Sequence, residues 1–374
     1  MRSSVVRSVA LAAALGLVLT AAASASAAAP KVTTVVSGLD NPRDLAFGPR
    51  GGLYVAEAGH GGPDCVAGGE MGTQCAGFTS GISRVNVTAG TSHRVVSGLA
   101  SVADPTGSFA TGVDGISFLG SRLFGIETES RDAVPPAGLP PATAAMLKMQ
   151  LGRLIEVKGG KFTVIADVGH ADFVWSAAHQ NLVPGQFPDA NPYGVLALDD
   201  GIWVVDAGSN TIDRVGPNGG VTVRRFFPNP PVSDAVPTCI DQGPDGALYI
   251  GELTGGGNAP GASVVWRFTP DGNQLTKWAT GLTAVTGCGF APDGTFYATE
   301  FSTLGLDNAA PGTGAVVRVA PHSTSPTTVV SGLNFPGGFA ASRRSLYVSN
   351  WSISPATGAA MPSGQVVRIA LPNN

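Results

Sequence analysis

Short apolar and aromatic runs, separated by turn residues, follow one another along most of this chain. The turns include Pro-Asp-Gly at 244–246, 270–272 and 292–294. β-Branched and aromatic runs bounded by such turns are typical of strands and hairpins. The segments between the runs do not show the apolar period of an amphipathic helix. The pattern therefore predicts an all-β protein.

The strand pattern is also repeated. Val-Val-Ser-Gly-Leu at 35–39 recurs at 95–99 and 329–333, with a weaker copy at 279–282. Aligning the chain on these segments reveals a second column, in which an apolar run ends in an acid or amide. This acid column consists of Glu57, Glu127, Asp206, Glu252, Glu300 and Asn350. Recurrence at six places indicates six structural units.

Each unit holds an inner, a middle and an outer strand, then an edge strand that ends in Ser-Gly-Leu. Such four-stranded antiparallel units in series predict a six-bladed β-propeller, whose radial closure leaves only short edges. The first edge strand, at 33–36, has no inner strands before it, and the last unit stops after its third strand at 365–371. We expect the N-terminal strand to complete the last blade.

The N-terminal segment has the layout of a secretory signal peptide. Arg2 and Arg7 precede an apolar run from 9 to 19, and Ala25-Ser26-Ala27 follows. The run is too short to cross a bilayer, so cleavage after Ala27 is expected and no stable membrane anchor should remain. The sequence thus predicts a signal peptide at 1–27, one propeller domain at 28–374, and a secreted or otherwise extracytoplasmic protein.

Composition agrees with a repeat protein and restricts its partners. The chain has 52 glycines and 28 prolines but only 13% charged residues, which fits many tight turns around a large buried fraction. Its net charge of -4 provides no basic surface for nucleic acid. We expect the partner to be a small molecule or another extracytoplasmic component, not a nucleic acid.

Four cysteines in an oxidising compartment indicate two disulfides. Cys65 and Cys75 lie in one glycine-rich insertion, whereas Cys239 and Cys288 share the inner-strand column of consecutive blades. The repeat register therefore pairs Cys65 with Cys75 and Cys239 with Cys288. The alternative for the second pair is two buried free thiols.

The long insertions all fall on one face of the propeller. They follow the acid column or join one blade to the next, and strand alternation places both kinds of connection on the same side. The segments are 58–81, 128–150, 169–191, 254–262, 302–314 and 352–363. Long loops on a rigid scaffold usually carry binding or chemistry, so we expect function on this looped face.

The acid column has two interpretations. Five carboxylates near one face could hold a hard cation, calcium being the one that tolerates irregular oxygen sites. The metal candidates are Glu57, Glu127, Asp206, Glu252 and Glu300, together with Asp114 of an inner strand. The structural interpretation is a repeat-level device, in which each acid accepts hydrogen bonds from the turn that follows it.

The inner strands begin beside the central channel, and there the units differ. Arg43, Asp44, Asp114 and Tyr193 are candidate ligand-binding residues at these positions. Arg43 could bind an anion while Asp114 takes a metal or a hydroxyl, or the two could form an ion pair.

His170 and His179 lie on the insertion between the second and third blades and are further candidate ligand-binding residues. The alternative is that both are surface histidines without a functional role. No histidine pair has metal spacing, and no Gly-x-Ser-x-Gly motif is present.

Several segments resemble the ScyD/ScyE family, secreted propeller-like proteins named after members in scytonemin gene clusters. The segments are Asn-Pro-Arg-Asp-Leu-Ala-Phe-Gly-Pro at 41–49, Gly-Leu-Tyr-Val-Ala-Glu-Ala-Gly at 52–59, and the matching stretches at 191–194, 205–210 and 243–255. The resemblance covers nearly the whole chain after the signal peptide. It implies an exported propeller and assigns no catalytic residues.

More distantly, the blades are similar to NHL-type propellers, to strictosidine-synthase and gluconolactonase-like hydrolases, and to quinone-dependent sugar dehydrogenases. Asp114-Gly115-Ile116 is similar to an inner-strand segment where the lactonase-like enzymes place a metal ligand. Three hypotheses follow. The first is a binding module that uses the looped face. The second is a metal-dependent lactonase or esterase with Asp114 and Glu57 as ligands and Arg43 holding an anionic group. The third is a quinone-dependent sugar dehydrogenase.

Overall fold

The computed structural model describes residues 30–67, 72–135, 137–229, 232–353 and 363–371. The expected signal peptide at 1–27 lies outside these residues. Across the described chain, 25 β-strands form six separate antiparallel sheets. These sheets are the blades of a six-bladed β-propeller, as the repeat predicts.

Strand β1 (Val32–Leu39) belongs to the last blade, and the other strands follow in chain order. Blade 1 consists of β2 (Pro42–Phe47), β3 (Leu53–Glu57), β5 (Gln74–Asn86) and β6 (Thr91–Ala103), with β4 (Asp64–Val66) paired to β5. Blade 2 consists of β7 (Val113–Leu119), β8 (Arg122–Glu127), β9 (Arg153–Lys158) and β10 (Lys161–Asp167). Blade 3 consists of β11 (Pro192–Leu198), β12 (Gly201–Asp206), β13 (Thr211–Val215) and β14 (Val221–Phe226).

The second half of the ring repeats this order. Blade 4 consists of β15 (Pro237–Gln242), β16 (Leu248–Glu252), β17 (Ser263–Thr269) and β18 (Gln274–Leu282). Blade 5 consists of β19 (Val285–Phe290), β20 (Phe296–Glu300), β21 (Gly314–Val319) and β22 (Pro326–Leu333). Blade 6 consists of β23 (Phe339–Ser342), β24 (Ser345–Asn350), β25 (Gly364–Ala370) and β1.

The N-terminal strand closes the ring, as expected. β1 pairs antiparallel with β25, with Val32 opposite Ile369 and Leu39 opposite Gly364. Val36 and Leu39 of β1 are buried, and they pack with Leu53 and Val55 of blade 1. The strand therefore completes blade 6 and also covers the side of blade 1.

The hydrophobic core is divided among the blade interfaces. One apolar cluster fills each of the six contacts between adjacent blades in the described residues. Between blades 3 and 4, for example, Trp203 and Phe268 are fully buried and meet edge to face. Burying each large apolar side chain contributes about 1.5–3 kcal/mol, so the stacked blades stabilise one another.

The insertions contain helices that the strand pattern does not predict. Helix α1 (Pro141–Gln150) lies in the insertion of blade 2, and helix α2 (Val168–Ala178) follows β10. Short 3-10 helices cover Pro49–Gly51, Arg131–Ala133 and Gln180–Leu182. A proline at the start of α1 and the Asp167 side chain, which caps α2, favour helix at these points. Among the described residues, no helix has the length and apolarity needed to cross a membrane.

Both expected disulfides are present. Cys65 and Cys75 join β4 to β5, and Cys239 and Cys288 join the inner strands of blades 4 and 5. The Cα atoms of the second pair are 5.5 Å apart, because adjacent inner strands converge on the channel. Two disulfides indicate an oxidising or extracytoplasmic environment.

Candidate functional site

The central channel is too narrow to hold a ligand of ordinary size. Its cavity, lined by Asp44, Asp114, Tyr193 and Cys239 among others, has a volume of about 30 Å³. Glycines let the inner strands approach: a Cβ on Gly115 would lie 2.4 Å from the Tyr193 carbonyl oxygen. The cavity has room for about two water molecules. Three of the predicted ligand-binding residues thus share one cavity, which excludes larger molecules.

Arg43 forms an ion pair with Asp114, which is the second of the two interpretations that the sequence offered for it. Its Nε lies 3.3 Å from Oδ2 of Asp114, and both side chains are buried. The same guanidinium donates short hydrogen bonds to the carbonyls of Ser352 and Ala110. Arg43 therefore connects blade 6, blade 1 and blade 2 beside the channel, and its charge is satisfied within the protein.

Burial raises the pKa values of the channel carboxyls. Asp44 reaches about 7 although its carboxylate accepts hydrogen bonds from the N–H groups of Ile116 and Leu45. The pKa of Asp114 rises to about 6 because burial outweighs the attraction of Arg43. Burial also raises the pKa of Tyr193. These groups are poorly solvated, which agrees with the small volume of the cavity.

The acid column is a repeat-level device, although its hydrogen bonds differ from the expected ones. Four members accept a hydrogen bond from the backbone N–H that precedes the inner strand of their own blade. The pairs are Glu57 with Asp40 at 2.8 Å, Asp206 with Asn191 at 2.9 Å, Glu300 with Thr283 at 2.8 Å and Asn350 with Asn334 at 2.8 Å. The end of a middle strand lies beside the start of its antiparallel inner strand. That neighbour, and not the following turn, supplies the shared donor. Asp206 also accepts hydrogen bonds from the following turn, through the N–H groups of Gly208 and Ser209.

The other two acids of the column have different surroundings. Glu252 accepts a short hydrogen bond from Nε1 of Trp266, and burial raises its pKa to about 7. Glu127 is fully buried, and in the described chain no donor reaches either of its carboxylate oxygens. Burial, followed by repulsion from Asp114, raises its pKa well above the ordinary value.

No metal centre is assembled by the described residues. No group of three histidine, cysteine, aspartate or glutamate side chains among them lies close enough to hold a metal ion. Carboxylate oxygens that bind one ion would all have to lie within about 2.5 Å of it. The acid column is distributed around the ring instead, one member to each blade, and every member except Glu127 accepts a hydrogen bond.

Three carboxyl groups do meet behind blade 3. Asp172 of α2 lies within hydrogen-bond reach of Asp206 and Asp213, and all three are fully buried. Burial and mutual repulsion raise the pKa values of Asp172 and Asp213 well above the ordinary range. Neighbouring carboxylates that are shielded from water repel each other, so ionisation of this cluster is disfavoured in the folded protein.

The two candidate histidines lie at opposite ends of helix α2, and each has a partner within the protein. Nδ1 of His170 lies 2.8 Å from Oδ2 of Asp132, in the neighbouring insertion. Nδ1 of His179 lies 2.7 Å from the carbonyl oxygen of Trp175, and the two rings stack with centroids 4.2 Å apart. The structure therefore brings neither histidine to the channel.

A larger pocket lies on the looped face, between blade 1 and α1. Strands β5 and β6 extend beyond their blade, and α1 packs across the extension through Leu147 and Leu151. The cavity between them has a volume of about 460 Å³. We call it the α1 pocket. Its apolar wall includes Ala76, Val102, Phe109, Val134, Leu147 and Leu151.

Among the described residues, Glu129 is the acid that lines the α1 pocket. Burial raises its pKa to about 7, and repulsion from Asp189, Asp114 and Asp206 adds to the effect. Its φ of 66° is in the left-handed region, which side chains other than glycine seldom occupy. Strained residues with perturbed pKa values in an apolar pocket are candidates for function.

Sequence reasoning locates this face but misses the residues of the α1 pocket. The 58–81 and 128–150 insertions that form it are expected to be functional, whereas Glu129, Phe109 and Leu147 are not among the candidates. One signal is present in the sequence: Glu129 is a second acid two positions after the acid-column member Glu127. The repeat accounts for the first acid and leaves the second unexplained.

No protein-family model and no curated protein matches the sequence. Solved structures do match. One of unknown function from Bacteroides thetaiotaomicron has a TM-score of 0.56 at 11% identity, covering 91% of this chain and 76% of that one. A candidate glucose dehydrogenase oxidoreductase from Thermus thermophilus has a TM-score of 0.53 at 15% identity, covering 91% and 99%. A gluconolactonase from Xanthomonas campestris has a TM-score of 0.52 at 9% identity, covering 92% and 90%. At these identities the likeness shows the propeller fold alone.

Proposed function

We propose that this protein is an exported binding protein that takes a small, largely apolar molecule into the α1 pocket. The observation that carries the proposal is the cavity of about 460 Å³ on the looped face. Sites for small molecules usually measure about 300–1,000 Å³ and combine apolar walls with few polar groups. The channel cavity of about 30 Å³ has no such capacity.

The frame of the α1 pocket is fixed before a ligand arrives. Gln150 accepts a hydrogen bond of 2.7 Å from the Ala100 N–H, and Thr143 donates one of 2.5 Å to Asp64. The Cys65–Cys75 disulfide holds the strand beside this contact. A cavity that is already formed costs little ordering on binding, which supports a role in ligand capture.

Titration with the neutral apolar fluorophore N-phenyl-1-naphthylamine tests the proposal. Ala133 is exposed and lines the α1 pocket, so Ala133→Trp should fill it and reduce binding of the probe at least about tenfold. Met149→Trp is the matched control, because Met149 lies on α1 with 60% of its surface exposed. Equal binding by both variants and the parent protein would place the probe elsewhere and refute the proposal.

The alternative functions are a metal-dependent hydrolase of lactones or esters and, third, a quinone-dependent sugar dehydrogenase. Gluconolactonase and dehydrogenase structures share the fold, but the part of this chain that is described offers no group of three metal donors. Metal analysis of the purified protein, with thermal unfolding in calcium and in chelator, separates these functions. Bound metal and a chelator-sensitive Tm would favour the hydrolase.

Membership in the ScyD/ScyE family is also part of the proposal. The segments at 41–49, 52–59 and 243–255 support it, together with the six blades and the two disulfides. The family carries no assigned catalytic residues, so membership is compatible with a binding role.

A further inference from the structure

The backbone of Glu129 is held from three sides. Its N–H donates a hydrogen bond of 3.0 Å to Oδ1 of Asn191. Its carbonyl oxygen packs against Gly152 and Gly169, where a Cβ would approach within 2.7 Å and 2.5 Å. Segments from the insertion of blade 2 and from the connection to blade 3 therefore keep this residue in its left-handed conformation. The backbone of a residue fixed in this way needs no further ordering when a ligand binds in the α1 pocket.

The Glu129 carboxyl group has no protein partner in the described chain. Among those residues Glu129 forms no side-chain hydrogen bond or ion pair, and the residue lines the cavity. Arginines of the same part of the fold are engaged elsewhere: Arg43 pairs with Asp114, and Arg131 and Arg153 both pair with Asp167. A partly buried acid that lacks a partner is unfavourable to ionise. A hydrogen-bonding or charged partner for Glu129 would therefore have to come from a ligand.

The charges around Glu129 also determine which charge a ligand group must carry to bind it. Asp189, Asp114 and Asp206 all act on Glu129 with negative charge. An anionic ligand would be repelled, and a neutral donor would gain one ordinary hydrogen bond. A cationic nitrogen would gain a charge-assisted bond, which is about twice as strong as a neutral one.

We propose that the α1 pocket takes a hydrophobic amine, whose ammonium group binds the Glu129 carboxylate while its apolar part packs against Leu147 and Leu151. This inference rests on the proposed function, because it names the ligand class of the same pocket. The apolar wall supplies affinity in proportion to the area that it covers. The Glu129 carboxylate supplies the choice of head group.

Three probes with one skeleton test the inference: 4-phenylbutylamine, 4-phenylbutanol and 4-phenylbutyric acid, each measured by calorimetry at pH 8. We expect the amine to bind the parent protein about tenfold or more tightly than the alcohol, and the acid to bind most weakly. Glu129→Gln should bring amine and alcohol to within about twofold of each other while the alcohol affinity is retained. Asp189→Asn is the matched control, because it removes a nearby charge without removing the contact, and it should keep most of the preference.

A pH series on the parent protein gives a second measurement that needs no variant. The pKa of Glu129 is about 7 in the free protein, whereas an alkylammonium stays protonated to about pH 10. The preference for amine over alcohol should therefore grow between pH 6 and pH 8. If the amine gains nothing over the alcohol while N-phenyl-1-naphthylamine still binds, the inference fails and the proposed function stands. If neither the fluorophore nor any of the three probes binds, the proposed function fails with it.

Discussion

The contacts of Arg43 give it a structural role that reaches across three blades. Its guanidinium binds Asp114 and two backbone carbonyls, all in buried surroundings. Ser352 follows the middle strand of blade 6, Ala110 precedes blade 2, and Asp114 lies in the inner strand of blade 2. Arg43 therefore cross-links the ring where the inner strands begin. An arginine engaged in this way is better suited to stability than to ligand capture.

Arg43→Met should therefore lower the free energy of unfolding by about 3–5 kcal/mol, since it leaves the Asp114 carboxylate buried and uncompensated. Denaturant unfolding measures the loss. Arg318→Met, which removes an exposed arginine of β21, is the control and should change stability by less than about 0.5 kcal/mol. In Arg43→Met/Asp114→Leu much of the loss should be recovered; a double variant as unstable as the single one would contradict the ion-pair explanation.

The carboxyl cluster of Asp172, Asp206 and Asp213 makes stability depend on pH. In the unfolded chain Asp172 titrates near 3.8, whereas burial raises its pKa well above that in the folded protein. Above pH 3.8 the folded state therefore binds more protons than the unfolded state. The contribution of this group is complete below the unfolded pKa and is lost as the pH rises through the folded pKa.

Asp172→Asn should remove this loss, because its amide donates to Asp206 and Asp213 without titrating. We expect little change in stability at pH 4 and a gain of about 1–3 kcal/mol at pH 8, measured by thermal unfolding at both values. Asp271→Asn, at an exposed turn, should follow the parent protein at both pH values. A variant less stable than the parent at pH 8 would show that the cluster is held together in another way.

At this scale, the sequence predicts what recurs and misses what occurs once. Glu57, Glu300 and Asn350 can be recognised because each stands at the same place in its own unit. Glu129 stands outside the repeat, and its surroundings arise where Asn191 and Gly169 meet it from distant parts of the chain. No local pattern contains that information.

Among the elements, strands were more predictable than helices for a physical reason. Turn residues delimit every strand pair, whereas α1 has no clear apolar face. Its buried residues are Thr143, Leu147 and Gln150, two of which are polar. Hydrogen bonds to Asp64 and from Ala100 satisfy those two side chains. A helix buried through polar contacts leaves little hydrophobic periodicity to detect.

The two disulfides should serve different elements. Cys239→Ala/Cys288→Ala opens a loop with a sequence separation of 49, for which the chain-entropy model gives about 4 kcal/mol of lost stability. Cys65→Ala/Cys75→Ala opens one with a separation of 10 and should cost about 3 kcal/mol. Denaturant unfolding compares the two double variants.

Ligand binding should respond in the opposite order. Gln74 and Val66, next to Cys75 and Cys65, line the α1 pocket, whereas the other disulfide lies beside the channel. Binding of N-phenyl-1-naphthylamine should therefore weaken in Cys65→Ala/Cys75→Ala and stay unchanged in Cys239→Ala/Cys288→Ala. The reverse pattern would move the binding site to the channel.

For the molecule as a whole, the six-bladed ring follows from the repeat, and its functional asymmetry follows from the insertions. Every blade presents short turns on one face, and the additional elements α1, α2 and the β5–β6 extension all stand on the other. The number of blades and the side of the site could therefore be predicted. The α1 pocket could not, because its volume depends on how two insertions pack together.

The pairing of β1 with β25 has a consequence for how quickly the chain can fold. Contacting residues in this pair, such as Thr33 and Arg368, are 335 positions apart, so the first strand to be synthesised must wait for the last. Folding slows as contacts become more distant in sequence, because closing a long loop costs entropy before the contact forms. The ends of the pair are adjacent, with the Ala370 N–H donating to the Lys31 carbonyl at 3.1 Å. Moving residues 30–39 behind residue 371 through a short linker would turn the pair into a hairpin with no native contact changed. We expect this permutant to refold faster than the parent chain in stopped-flow experiments at nearly equal stability. Equal refolding rates would mean that ring closure is not the slow step.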